Sequence, residues 1–162
     1  MTATSQSFPV RIETLPARRV AYLRHVGPYQ SVGPTFQQLM AYAGQHGLFG
    51  PATVVLGVCW DDPEMAPPER IRYDCCVTVG EAFTPDGEVQ VQTIEGGEYA
   101  SATHVGPYEK LREIWSWVYG TWLPASGRTT RQAPPFEVYR NSPMDTPPEK
   151  LITEICVPLK PR

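Results

Sequence analysis

His25-Val26-Gly27-Pro28-Tyr29 recurs in this chain as His104-Val105-Gly106-Pro107-Tyr108, and a helix-like stretch follows each copy. The copies lie 79 residues apart. A second echo sets the extent of the unit: Pro67-Pro68-Glu69-Arg70-Ile71-Arg72-Tyr73-Asp74-Cys75-Cys76-Val77 returns as Pro147-Pro148-Glu149-Lys150-Leu151-Ile152-Thr153-Glu154-Ile155-Cys156-Val157, at an offset of 80. Two ordered echoes that differ by one inserted residue predict a tandem duplication. The repeats are expected at about 10–79 and 89–159, inside one domain over 8–160, each carrying a strand, a helix and two strands.

Outward from the repeated phrase, the apolar spacing changes period. Val20-Ala21-Tyr22-Leu23-Arg24-His25 is strand-like, as is the alternating Phe8-Pro9-Val10-Arg11-Ile12-Glu13 before it. After Gly27-Pro28, Val32, Phe36, Leu39 and Ala43 fall three and four apart, the stripe of an amphipathic helix, with Pro34 in its first turn and Gly44 and Gly47 at its end. Thr53 to Trp60 and Arg70 to Val79 follow as strands, with Asp74 and Cys76 on one face and Tyr73, Cys75 and Val77 on the other. The second half repeats the order with strands Val89 to Ile94 and Tyr99 to His104 and a helix over about Tyr108 to Trp122 striped by Leu111, Trp115, Val118 and Trp122. A polar connection from Pro124 to Pro135 then leads to strands Phe136 to Arg140 and Leu151 to Leu159. The expected fold is α+β: internally duplicated units in one antiparallel sheet with two helices on one face, related by an approximate two-fold rotation.

With 162 residues, two independent domains of about 80 would each be small, so the halves are expected to share one core. At 41% hydrophobic and 19% charged residues the chain is an ordinary globule, with a fold pattern everywhere but at its ends. A net charge of −3 without a Lys/Arg cluster argues against direct nucleic-acid binding. Met1 to Ser7 has no basic start or apolar run and no window suits a membrane span, so a cytoplasmic protein is expected. Cys59, Cys75, Cys76 and Cys156 fall in strand-like runs without C-x-x-C spacing, which favours buried thiols. His25, His46 and His104 are too scattered for a metal set, and no nucleophile elbow, phosphate loop or cofactor motif occurs, so neither metal nor cofactor is expected.

Equivalent positions that differ point to a task kept by one half. Trp115, Trp117 and Trp122 stand where the first helix has Phe36, Gln38 and Ala43. Trp115 and Trp122 lie on the stripe and fit a core; Trp117 lies about 120° from Leu111, either partly exposed or a groove wall. Asp74 and Glu154 are equivalent carboxylates among apolar neighbours, where an unpaired charge is costly. Arg72 can serve Asp74 on the same strand face, whereas Glu154 has Ile152 at the matching position, which leaves it free to face a ligand. Glu137 and Tyr139 share a face and replace Gly57 and Cys59, with solvation on an edge strand the plain reading of Glu137.

The repeated His-x-Gly-Pro-Tyr phrase, the strand Phe136-Glu137-Val138-Tyr139 and the closing Thr153-Glu154-Ile155-Cys156-Val157-Pro158-Leu159 together resemble the GyrI-like small-molecule-binding family, also found as the effector-binding domain of AraC- and MerR-type regulators. The resemblance spans about Val10 to Lys160. It implies a ligand groove between the halves, with Glu154 at the position of a ligand-meeting glutamate and Tyr139, Trp117, Trp115, Tyr108, Glu137 and Trp60 as further ligand-binding candidates. It further implies a stand-alone binder of drug-like, aromatic or cationic compounds, in toxin or drug tolerance. Two alternatives accompany it: a cofactor-free hydrolase of strained cyclopropane-bearing compounds with Glu154 as the catalytic group, and a protein-interaction role such as DNA gyrase inhibition. A homodimer stays open, and without a helix-turn-helix pattern before Phe8 or after Lys160 the chain is not expected to be a complete transcription factor.

Overall fold

The computed structural model describes residues 8–162; the amino-terminal stretch expected to lack a fold pattern lies outside them. Eight strands, β1 (Val10–Leu15), β2 (Arg18–Val26), β3 (Val55–Cys59), β4 (Arg72–Thr78), β5 (Gln90–Ile94), β6 (Gly97–Val105), β7 (Phe136–Tyr139) and β8 (Ile152–Pro158), form one antiparallel sheet. Helix α1 (Gly33–Gln45) follows β2, and α2 (Leu111–Trp117) follows β6. The strand order is β1-β6-β8-β7-β3-β4-β2-β5, which maps onto itself when each strand of residues 10–79 is exchanged with its counterpart in 89–159. Each half holds the expected strand, helix and two strands with one further strand ahead of them, β1 or β5. The first strand of each half hydrogen-bonds to the other half: β1 to β6, and β5 to β2.

This order forces the sheet to curl. β1 and β2 are joined only by Pro16-Ala17, and β5 and β6 only by Glu95-Gly96, yet each pair stands six places apart in the sheet. A flat sheet would put such strands about 29 Å apart at the usual spacing, and two residues cannot bridge that. The ends of the sheet therefore approach each other. The two connections pack together, because a β-carbon on Gly96 would lie 2.6 Å from the Ala17 amide nitrogen.

The inner face of the curl is filled by Val20, Leu56, Val58, Cys76, Ile94, Tyr99, Phe136, Val138 and Cys156, contributed by strands from both ends of the sheet. The outer face carries the helices. Leu39 and Ala43 of α1 pack on Ala21, Leu23, Tyr73, Cys75 and Val77, and Leu111, Ile114 and Val118 of the second helical segment pack on Ala100, Ala102, Ile155 and Val157. Each helix covers its own half, so the central pair β3–β7 forms the floor between them.

The second helical segment runs beyond the expected end at Trp122. After α2 the chain makes a π turn over Val118–Trp122 and then α3 (Leu123–Ser126). Pro124 explains the wide turn, since it lacks an N–H and its ring would press on the preceding turn of a regular helix. Gly127 ends the segment in the left-handed region at φ 74°. Gly127→Ala should lower stability by about 1 kcal/mol in chemical denaturation, because a β-carbon is strained there.

Candidate functional site

Glu137 stands on the central strand pair, between the two helices. It lies on the outer face of β7 opposite Gly57 of β3, so its side chain rises between the helices. The expectation of a solvated edge strand is corrected: β7 is internal to the sheet, and Glu137 is 8% exposed. Its carboxylate accepts hydrogen bonds from Tyr139 Oη at 2.6 Å, Tyr73 Oη at 3.1 Å and Trp115 Nε1 at 2.7 Å. The Tyr73 and Tyr139 hydroxyls also meet each other.

Aromatic rings enclose this carboxylate. Phe36 meets Tyr73 and Tyr139 edge-on at 6.0 and 5.5 Å, Tyr29 meets Tyr73 at 5.5 Å, and Tyr108 meets Tyr139 at 5.5 Å. Tyr119, on the π turn, stacks on Trp115 at 6.1 Å. Burial, followed by neighbouring negative charge, pushes the Tyr139 phenol well above its ordinary range; burial and the coupled phenol do the same to Tyr73. Both are therefore neutral donors at physiological pH. Burial also raises the Cys59 thiol on the same floor, with the Glu137 charge adding to it, so this cysteine is protonated and a poor nucleophile.

Two other buried carboxylates are handled differently. Asp74 is held by Arg24 at 2.8 and 3.0 Å, Trp60 Nε1 at 2.7 Å and Gln92 at 2.8 Å. Glu154 is held by Arg11 at 2.7 Å and by Arg140. Both lie on the face opposite Glu137, as strand alternation requires. Two sequence inferences change here. Arg72 pairs with Asp61 rather than Asp74, and Glu154 has two arginine partners despite Ile152, because Arg11 arrives from the exchanged strand β1 and Arg140 follows β7. Among the described residues, Glu137 alone of the three has no arginine, lysine or histidine within ion-pair distance.

The structure thus brings together Glu137, Tyr139, Trp115 and Tyr108 of the expected residues. Trp115, read as core, is half-buried and bonded to Glu137. Trp117 packs on the second-half core and meets Phe8 edge-on at 5.4 Å, away from the carboxylate. Trp60 lies with Asp74 on the inner face, flanked by the Arg24 and Arg72 guanidiniums. Tyr73, Tyr29, Phe36, Tyr119 and Gly57 join the residues around Glu137 without being ligand candidates in the sequence. Tyr29 is legible as the counterpart of Tyr108 in the repeated phrase; Tyr73 is hidden because alternation marks it only as core-facing. No group of three His, Cys, Asp or Glu side chains among the described residues is placed to hold a metal, and no helix there is long and apolar enough to cross a membrane.

The sequence matches the family model of the GyrI-like small molecule binding domain over residues 8–160. The chain belongs to this family. Among curated relatives, the probable transcriptional regulator YgiV of Escherichia coli K12 is 33% identical over 96% of this chain and 99% of its own. A DNA gyrase inhibitor of Edwardsiella piscicida is 36% identical over 80% of this chain and 85% of its own. Of solved structures, the EcmrR C-terminal domain superposes with a TM-score of 0.79 at 17% identity, over 97% of this chain and 100% of that one. SAV2435, solved bound to tetraphenylphosphonium, gives a TM-score of 0.59 at 19% identity over 94% of each chain. The two structural matches establish the shared GyrI-like fold.

Proposed function

We propose that the Glu137 groove is this protein's small-molecule site and that it takes aromatic, lipophilic cations. The observation that carries the reading is that no described residue supplies Glu137 with a countercharge. A buried carboxylate that receives only neutral donors retains an unbalanced charge in a low-dielectric setting, and a cation surrounded by Tyr29, Tyr73, Tyr108, Tyr139, Phe36 and Trp115 would balance it while meeting π-faces. Lipophilicity is favoured because the walls are rings. The tetraphenylphosphonium held by SAV2435 is of this class and supports the reading.

The test is titration with tetraphenylphosphonium, followed by tryptophan fluorescence with the ligand's mass measured afterwards. Quenching that disappears in Trp115→Phe, with the ligand unchanged, is the expected result. Glu154→Gln should leave affinity within about twofold, because that carboxylate lies on the other face of the sheet and is already neutralised by Arg11 and Arg140. An equal loss in Glu154→Gln and at Glu137 would defeat the assignment. A strained cyclopropane-bearing ligand that gains one water in mass would move the reading to a hydrolase, and absence of binding across a panel of lipophilic cations would move it to a protein partner.

A further inference from the structure

His104 of β6 and Thr153 of β8 are cross-strand partners on the outer face, and Thr153 is paired on its other side with Tyr139, the neighbour of Glu137. They are 5% and 0% exposed. Each nevertheless keeps one buried polar atom without a hydrogen-bond partner among the described residues: His104 Nδ1 and Thr153 Oγ1. β-Carbons of directly paired residues stand about 4.5–5.5 Å apart, so one small polar group between them can reach both atoms.

The hydrogen-bond roles are fixed by chemistry. His104 Nε2 lies 3.2 Å from the Pro107 carbonyl oxygen, which can only accept, so Nε2 carries a proton, and the tautomer this selects presents Nδ1 as an acceptor. The Thr153 hydroxyl can donate or accept. An incoming O–H that donates to Nδ1 and accepts from Thr153 satisfies both at once. The first half offers no such pair: His25 Nε2 meets both Pro28 O at 2.9 Å and Ser31 Oγ at 3.1 Å, and Tyr73 occupies the position equivalent to Thr153. Phe8 stands beside the pair, its ring 6.4 Å from that of His104 and 5.4 Å from that of Trp117.

We propose that His104 Nδ1 and Thr153 Oγ1 form a second, neutral subsite of the groove that binds the hydroxyl of a phenol or other aromatic alcohol. The inference rests on the groove being the small-molecule site and adds selectivity to it: a ligand with a cationic centre at Glu137 and a hydroxyl on the far side of Tyr139 engages both subsites.

The test uses neutral probes, which do not need Glu137. Protein labelled with nitrogen-15 is titrated with phenol and, separately, with toluene. Phenol should move the His104 Nδ1 resonance toward the hydrogen-bonded position and leave Nε2 in place, while toluene moves neither. Thr153→Val keeps the shape and removes the hydroxyl; it should weaken phenol binding about tenfold and leave toluene unchanged. Identical responses to the two probes, unchanged phenol affinity in Thr153→Val, or an Nδ1 resonance indifferent to phenol, as when the pair holds only water, would each overturn the subsite. Tetraphenylphosphonium binding lost in Glu137→Gln while phenol binding persists separates the two claims, and a phenol response in a protein that never binds the cation refutes the Glu137 reading alone.

Discussion

Glu137→Gln should weaken tetraphenylphosphonium binding about a hundredfold, an effect of about 2.7 kcal/mol read by isothermal titration. The amide preserves the side chain's shape, and its oxygen can still accept from Tyr139 and Tyr73, while its NH2 cannot accept from Trp115 Nε1, so one hydrogen bond is lost and two are kept. Beyond that bond, what disappears is the negative charge, which no basic side chain among the described residues offsets within ion-pair distance. A charged partner lost inside a desolvated groove typically costs 2–5 kcal/mol, well above the ~1 kcal/mol of an exposed pair. The loss should be specific to charge: an uncharged ligand of similar shape, such as tetraphenylmethane, should bind the wild type and the variant equally. Equal cation affinity in both proteins would show that the rings alone hold the ligand.

The second large effect is at Gly57. A β-carbon there would overlap the Tyr73 phenol, both its hydroxyl oxygen and ring carbons. Tyr73 lies across Gly57 to reach Glu137 on the neighbouring strand, and it is 2% exposed, so it has little room to withdraw. Gly57→Ala should therefore destabilise the protein by about 3 kcal/mol, the upper end of overpacking in a filled core. It should also disturb ligand binding by displacing the phenol. The cause can be isolated with Tyr73→Leu, whose shorter side chain removes the overlap: in that background Gly57→Ala should cost less than about 1 kcal/mol. Simple additivity of the two substitutions in urea denaturation would show that the glycine is needed for some other reason.

These predictions concern a groove whose parts were only partly legible in the chain. The echoes at offsets 79 and 80 located the strands and helices, because local hydrophobic period records which face of each element is buried. The Phe136-Glu137-Val138-Tyr139 alternation put Glu137 and Tyr139 on one face, and the helix stripe placed Trp115 toward the sheet. Strand order was outside the reach of such patterns. Whether β7 is an edge or the centre depends on pairing with β3, a contact between halves, and that pairing turns Glu137 from a solvated side chain into the buried centre of a groove.

The carboxylates show the same division. From sequence, Glu154 lacked a partner because only arginines on its own strand could be counted; in the fold, Arg11 comes from β1, exchanged into the other half, and Arg140 from beyond β7. Glu137, whose plain sequence reading is a solvated edge residue, is the one left with neutral donors. The sequence by itself determined the elements, their faces and the doubled plan, since these follow from local period and self-similarity. Tertiary structure alone decided which charges meet, because neutralising a buried carboxylate depends on side chains brought within about 4 Å across strands distant in the chain.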